Sequence, residues 1–175
     1  MDVSPLSLSP RSLPFTPPAT LRERPPGDPY LRFQLAEGVT AVLPMQQVQE
    51  VHRLPVHRLT PLPNLPGCVL GLINRRSQVL WVVDLAHLLD ITYLGANQQQ
   101  YHLAIIRSGQ LMLALAVAHI HGSFWLPPEA IHAHAGQLSP ALQAHLQGCA
   151  MYDQEILLVL NPEAILHSSA LHTSS

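Results

Sequence analysis

Lysine is missing from this sequence, and all nine of its cationic residues are arginine. A chain without lysine cannot form a Schiff base, hold pyridoxal phosphate or build a Walker-type phosphate loop. Charged residues make up only 11% of the chain and the formal net charge is −2. This balance indicates no basic surface for nucleic acid or for an anionic membrane. A weakly charged surface suits contacts with other proteins instead.

Cysteines and long apolar runs are also scarce. Cys68 and Cys149 lie far apart and form no C-x-x-C motif, so we expect two buried, reduced thiols. No apolar run approaches the roughly 18 residues that a membrane span needs, and the N-terminus lacks the pattern of a signal peptide. These absences predict a cytoplasmic protein without direct membrane insertion.

Catalytic motifs are absent as well. The sequence contains no H-E-x-x-H, no G-x-S-x-G and no glycine-rich phosphate loop. Acidic residues outside the first 28 positions are few, and most of them lie where a turn or a helix cap would use them. An enzyme is therefore the least favoured class, and no cofactor is predicted.

Residues 1–28 differ in composition from the rest of the chain, because proline alternates there with serine and threonine. Proline fixes φ and removes a hydrogen-bond donor, so we expect this segment to be a disordered, extended tail. A ligand for a proline-binding domain is the alternative interpretation.

Short strands with turn signals dominate the remaining sequence and predict an all-β protein, as a barrel or a sandwich. Residues 30–43 and 103–117 each predict a hairpin, and 156–160 predicts the last strand. The prolines of 52–66 predict a stiff surface connection. The segment 129–134 is predicted to form a short strand or a helical turn. Short helices should follow Ser139-Pro140 and Asn161-Pro162, and residues 168–175 should fray.

The stretch 66–90 contains two apolar runs, 69–73 and 79–83, separated by polar residues that include Arg75 and Arg76. This pattern predicts two covered strands joined by an exposed turn, with Asp84 capping a short helix. Two adjacent arginines at an exposed turn suit recognition of a partner. An internal ion pair of Arg76 with Glu50 or Asp84 is the structural alternative.

The eleven histidines raise one further alternative, a histidine-rich β protein that binds a metal ion or a small ligand. If both of their segments are strands, His119 and His121 share one side of a strand, and so do His132 and His134. Spacing alone seldom makes a metal site, so this alternative is the weaker one.

The central stretch resembles the signature of the CheW family, which runs G-hydrophobic-hydrophobic-N-L-R-G, then a hydrophobic strand and D-L. Here the matching residues are Gly71-Leu72-Ile73-Asn74-Arg75-Arg76-Ser77, followed by the strand that ends at Asp84-Leu85. The resemblance extends through Val48-x-Glu50-Val51 and 59–63 to the late strand 157–160, and covers about 29–166.

The resemblance implies two small five-stranded SH3-like barrels packed side by side, with a few short helices. We expect them within 29–167, with the boundary between the halves near 95–100 unless strands interleave. The family's function is non-catalytic coupling: it joins the cytoplasmic tip of a methyl-accepting chemoreceptor to the regulatory domain of a CheA-type histidine kinase. Recruitment to receptor arrays at the membrane follows, with flagellar or surface motility as the output.

The resemblance also implies a partner-binding surface, which has an apolar component. The residues that match the family's contact positions are Glu50, Gly71, Asn74 and Arg76, and Arg75 and Ser77 lie within the same surface. We expect Val48 and Val51 to supply its apolar part. Arg75 and Ser77 depart from the family pattern, since Arg75 replaces a leucine and Ser77 a glycine. If that glycine is needed for a left-handed backbone, serine costs about 1–2 kcal/mol there.

Overall fold

The computed structural model describes residues 26–134 and 136–172, and this part of the chain contains ten strands and three short α-helices. The strands are β1 Asp28–Ala36, β2 Val39–Pro44, β3 Val48–Pro55, β4 Val69–Arg75, β5 Gln78–Asp84, β6 Gln100–Ser108, β7 Leu111–Val117, β8 His119–Leu126, β9 Leu146–Tyr152 and β10 Glu155–Leu160. The helices are α1 Leu85–Leu88, α2 Pro140–His145 and α3 Pro162–Leu166, and short 3-10 turns lie at Met45–Gln47, Val56–Arg58, Pro128–Ala130 and Ser169–Leu171.

The strands form two five-stranded sheets. Sheet A has the order β8-β1-β2-β10-β9, and sheet B has the order β3-β6-β7-β5-β4. All neighbours are antiparallel except β2 with β10 and β5 with β7, which are parallel. The protein is therefore all-β with a few short helices, as predicted.

The core is layered because neighbouring residues of a strand point to opposite faces. On β6, Leu103 and Ile105 pack in a cluster that belongs to sheet B, whereas Ala104 and Ile106 pack in the largest cluster, which sheet A shares. Residues of β1 divide in the same way, with Tyr30 in a cluster of sheet A. Each sheet thus encloses its own apolar centre and packs its other face against its neighbour, which explains the apolar runs on both strand faces.

Both predicted hairpins are present, as β1–β2 and β6–β7. The predicted helix caps are confirmed: Asp84 accepts from the His87 N–H, Ser139 from the Leu142 N–H and Asn161 from two N–H groups of α3. Both cysteines are free thiols, with Cys68 buried and Cys149 half-buried. Segment 129–134 contains part of a 3-10 turn and, at His132, a single β-bridge to Cys149.

The two halves of the chain interleave, which the expectation of a boundary near 95–100 had left open: 48–117 supplies all of sheet B, while β1 and β2 join the C-terminal strands in sheet A. Residues 52–55 were expected to lie in a surface connection, but they belong to β3. The strand accommodates Pro55 because this residue lies at the end of an edge strand, where no ladder donor is needed. Strand β9 was missed, because its sequence has weak alternation and contains Gly148.

Residues 168–172 are ordered against the protein body, contrary to the expected fraying. Leu171 is buried in the shared core, and the Ser168 hydroxyl lies 2.8 Å from Nε2 of the buried His145. The predicted tail lies outside the described residues except for 26–28, where Asp28 already begins β1.

The two sheets repeat one plan. Each sheet has an edge strand that carries a bulge, at Gln49 in β3 and at His121 in β8. This edge strand ends at or next to a proline. A 3-10 turn follows, and then a single bridge to the opposite edge strand, Thr60 to Leu72 in sheet B and His132 to Cys149 in sheet A. Each plan is completed by a hairpin, β4–β5 or β9–β10, that leads into a capped helix.

Candidate functional site

The candidate site lies at the turn between β4 and β5, where the two arginines leave the sheet. Arg75 pairs with Gln78, so Arg76 and Ser77 form a two-residue turn, with φ of 50° and 63°. Both residues are in the left-handed region, which is the geometry of a type I′ hairpin turn. The departure of Ser77 from the family's glycine therefore places a side chain on a backbone that favours glycine, at a cost of about 1 kcal/mol.

Gly71 holds the base of this hairpin and does not face solvent. Its φ is 153°, and a methyl group there would overlap the carbonyl oxygen of Thr60. Thr60 and Leu72 exchange backbone hydrogen bonds of 2.8 Å across this contact. Gly71 is thus needed for the close approach of the 59–60 segment to β4 and contributes to the site indirectly.

Ion pairs connect the hairpin to the opposite edge of sheet B. Arg75 donates from Nη2 to Oε1 of Glu50, and Nη2 of the Arg76 side chain lies 3.6 Å from Oε2 of the same carboxylate. Glu50 is on β3 and Arg75 is on β4, the two edge strands of sheet B. This contact requires the sheet to curl until its edges meet, which makes sheet B barrel-like.

The two arginines differ in exposure, and this difference assigns them different tasks. The side chain of Arg76 is 80% exposed, whereas that of Arg75 is 32% exposed and its Nε is buried without a hydrogen-bond partner. The alternative predicted from sequence, an internal pair of Arg76 with Glu50, is therefore realised mainly by Arg75. Arg76 keeps most of its donor fork in solvent.

The cluster of charged residues at the site has a net positive charge. The hydrogen bond from Arg75 lowers the pKa of Glu50, and the charges of Arg75 and Arg76 lower it further. Burial lowers the pKa of His52, and nearby Arg75 adds to that effect. At neutral pH the cluster thus contains one carboxylate, two guanidinium groups and a neutral imidazole.

A groove of about 270 Å³ opens beside this cluster, between the two edge strands. Its lining includes Arg75 and Asn74 on one side and His52 and Arg58 on the other. From the sequence, His52 and Arg58 were placed only within the stiff surface connection predicted for 52–66. Their near-repeat, His52-Arg53-Leu54 and His57-Arg58-Leu59, carried no signal that the barrel would bring them to the β4 edge.

The structure divides the other predicted contact residues. Val51 is 48% exposed but points away from Glu50, because neighbours on a strand face opposite sides. Val48 is half-buried and packs against the shared core. Asn74 is exposed and pairs across the hairpin with Val79, which is 64% exposed.

The histidines do not assemble as the metal alternative requires. The ring centroids of His119 and His121 are 5.1 Å apart, and His102 lies 5.5 Å from His119. His134 instead lies beside Cys149, with 3.6 Å between Nδ1 and Sγ. In residues 26–134 and 136–172, no group of three or more His, Cys, Asp or Glu side chains is arranged to hold a metal ion.

The described part of the chain also has no helix with the length and apolar character to cross a bilayer.

Comparison with known proteins assigns the family. The sequence model of the CheW-like domain matches residues 29–170, which is most of the chain. Protein PilI of Pseudomonas aeruginosa is 28% identical over 124 residues, which cover 71% of this chain and 67% of PilI. The fold is similar to the crystal structure of the scaffolding protein TtCheW from Thermoanaerobacter tengcongensis, with a TM-score of 0.66 and 21% identity over 77% of this chain and 89% of that one. The chain therefore belongs to the CheW-like domain family.

Proposed function

We propose that this protein is a non-catalytic adaptor that couples the cytoplasmic tip of a methyl-accepting chemoreceptor to a CheA-type histidine kinase. Members of its family are scaffold proteins of chemotaxis-like signalling. The single observation that supports a recognition role is the exposed guanidinium of Arg76, at the tip of a hairpin that the ion pair of Arg75 with Glu50 ties to β3 next to the turn.

The chemistry of the site favours an acidic or carbonyl-rich partner surface. Arg76 presents a planar fork of donors that pairs with a carboxylate in two-point contact. Arg58 and Arg75 line the adjacent groove, and Glu50 already has arginine partners. A helical hairpin with an exposed carboxylate near its tip fits this arrangement, and Asn74 and Val79 would flank the contact.

The departures from the family pattern adjust this surface without removing it. Arg75 replaces an apolar residue, but Glu50 takes up its charge, so that an ion pair covers the end of the barrel. Ser77 adds a hydroxyl at the exposed turn. We infer that the partner of this chain has complementary changes opposite these two positions.

Replacement of Arg76 by alanine tests this proposal. A hot-spot arginine contributes about 2 kcal/mol or more to binding, so Arg76→Ala should weaken binding to a receptor-tip fragment by about 30-fold. Because Arg76 is highly exposed, the urea midpoint of unfolding should stay close to that of the wild type. Isothermal titration calorimetry measures the first quantity, and circular dichroism the second.

Arg107→Ala is the matched control, since Arg107 is an exposed arginine at the β6–β7 turn of the same sheet, and its Nε donates to the carbonyl of Gly109. It should bind the receptor fragment as the wild type does. Equal affinity of the Arg76 and Arg107 variants would reject the hairpin as the receptor contact.

The receptor arm of the proposal predicts recruitment to receptor arrays at the membrane. The chain would reach the membrane through its partners, with flagellar or surface motility as the output. Loss of membrane association in cells that lack the receptors would support this arm, and retained association would contradict it.

A further inference from the structure

A second groove lies on sheet A, whereas the β4–β5 hairpin belongs to sheet B. The walls of this groove are aromatic. It has a volume of about 450 Å³. The contributing side chains include Phe124 and Trp125 from β8, Met151 and Tyr152 from β9, and Pro127 from the following turn. Met151 and Tyr152 are 63% and 46% exposed, so this surface is apolar and open.

The groove is preorganised by its own contacts. The rings of Phe124 and Tyr152 meet edge to face, with centroids 4.7 Å apart. The guanidinium carbon of Arg32 lies 5.6 Å and 5.7 Å from the centroids of these two rings. Arg32 is held in turn by Glu155 at 2.8 Å. Fixed aromatic walls of this kind bind proline rings, because a polyproline II segment is already extended and loses little entropy on docking.

The N-terminal segment supplies a ligand of this kind, and the described chain begins at the groove. Pro26, the first described residue, is part of the groove lining. Upstream of it the sequence reads Arg11-Ser12-Leu13-Pro14-Phe15-Thr16-Pro17, in which an arginine precedes a P-x-x-P motif by three positions. P-x-x-P is the spacing that places two prolines on one side of a polyproline II helix with three residues per turn.

Charge complementarity favours the same occupant. The segment 1–25 carries Arg11, Arg22 and Arg24 against two acidic residues. Three exposed carboxylates follow lining residues within two positions in the sequence, at Asp28, Glu129 and Asp153. The nearby cation, Arg32, is paired with Glu155.

We propose that residues Arg11–Pro17 of the chain dock in this aromatic groove of sheet A, in the same molecule. The eight residues between Pro17 and Pro26 span about 25 Å when extended, which is long enough to reverse the chain over the groove. The tether holds the motif at a local concentration in the millimolar range, so a weak intrinsic affinity is sufficient. Residues 11–17 would then cover Tyr152 and Met151 at this end of sheet A.

The test uses the indole N–H signals of the full-length protein. The chain has only two tryptophans, Trp125 in the groove and Trp81 on β5 of the other sheet, so a ¹H–¹⁵N spectrum reports on both. The variant Pro14→Ala/Pro17→Ala should shift the Trp125 signal and leave the Trp81 signal unchanged. The matched control, Pro5→Ala/Pro10→Ala, removes as many prolines from the same segment outside the motif and should shift neither.

A synthetic peptide of residues 9–20 supplies a second readout. It should bind the Pro14→Ala/Pro17→Ala protein about tenfold more tightly than it binds the wild type, whose groove is already occupied. Tyr152→Ser should abolish peptide binding to that variant. Identical Trp125 signals in the wild type and both double variants would overturn the proposal. A wild-type Trp125 signal that changes on twentyfold dilution would also overturn it, because that result would show docking between two molecules.

Discussion

The two barrel-like sheets follow the same plan, but their edges are joined by different chemistry. In sheet B the edge strands meet through the ion pair of Glu50 and Arg75. At the corresponding end of sheet A they meet through the aromatic contact of Phe124 and Tyr152. The sheet A ion pair, Arg32 with Glu155, comes from inner strands and supports the rings from behind. One fold thus presents a charged end and an aromatic end, which suit different occupants.

This comparison also separates residues that the fold needs from residues that are available for recognition. The glycines Gly71 and Gly148 occupy equivalent positions, each beneath the bridge between edge strands, and both are constrained by a carbonyl group. The turn residues of the two hairpins, Arg76-Ser77 and Asp153-Gln154, have equivalent left-handed backbones but opposite charge. The backbone plan is therefore shared, and the side chains at the tips distinguish the two ends.

The largest effect on stability should come from replacing with alanine the two glycines, Gly71 and Gly148, that lie beneath the single β-bridges between edge strands. At Gly71 the new Cβ would overlap the Thr60 carbonyl oxygen on a backbone with φ of 153°, whereas at Gly148 it would lie 2.8 Å from the His132 carbonyl oxygen. We expect Gly71→Ala to lower the free energy of unfolding by about 3 kcal/mol and Gly148→Ala by about 2 kcal/mol. Urea unfolding followed by circular dichroism measures both. A larger loss at Gly148 would show that the bridge of sheet B is the more adaptable one.

The next effect separates the two ways of closing a barrel. Tyr152→Ala removes an aromatic pair and should cost about 1–2 kcal/mol, and the cost should not depend on salt. Glu50→Gln removes the partner of Arg75 and should cost about 1 kcal/mol, and this cost should shrink in about 0.5 M NaCl, which screens the charges. Unfolding curves at low and high salt give both values. An equal salt dependence would mean that the two closures do not differ in kind.

Acid should destabilise the contact between the sheets. Burial lowers the pKa of His102 on β6 and of His121 on β8, and the charges of Arg53 and Arg32 reinforce these shifts respectively. Because these pKa values are lower in the folded state, their contribution to stability is present above about pH 6.5 and is lost as the pH falls below it. His102→Gln/His121→Gln should therefore reduce the loss of stability between pH 7 and pH 5. His57→Gln, at an exposed position, is the control and should retain the full loss.

The smallest effect concerns the two turns. Ser77 and Gln154 have φ of 63° and 64°, so glycine should stabilise the fold by similar amounts at both, about 0.5–1 kcal/mol after its larger unfolded-state entropy is subtracted. Thermal unfolding gives these values. Only Ser77→Gly should also change the affinity for a receptor fragment. A change of that affinity in Gln154→Gly would place part of the contact on sheet A.

Local features of the fold were readable from the sequence because neighbouring residues determine them. Hairpins, helix caps and the left-handed backbone at Ser77 depend on positions a few residues apart. The resemblance to the CheW family supplied the two-barrel plan. The assignment of 48–117 to one sheet was not readable, because β1 and β2 pair with strands more than 80 residues away.

The site was only partly predicted from the sequence, because it also depends on contacts between distant residues. Arg76 was identified as an exposed residue, but the pairing of Arg75 with Glu50 depends on barrel closure between strands 25 residues apart. The equivalence of Gly71 and Gly148 was hidden because few side chains are shared between the two hairpins. In each case the long-range register decides the contact.

The central claim is that this chain connects a receptor to a kinase without catalysing a reaction itself. The most direct measurement is the autophosphorylation rate of a CheA-type kinase mixed with a receptor-tip fragment, with and without this protein. We predict that the receptor changes the kinase rate only when the protein is present, and that Arg76→Ala removes this dependence while kinase binding persists. A kinase rate that is the same with and without the protein, at concentrations that saturate both partners, would contradict the account.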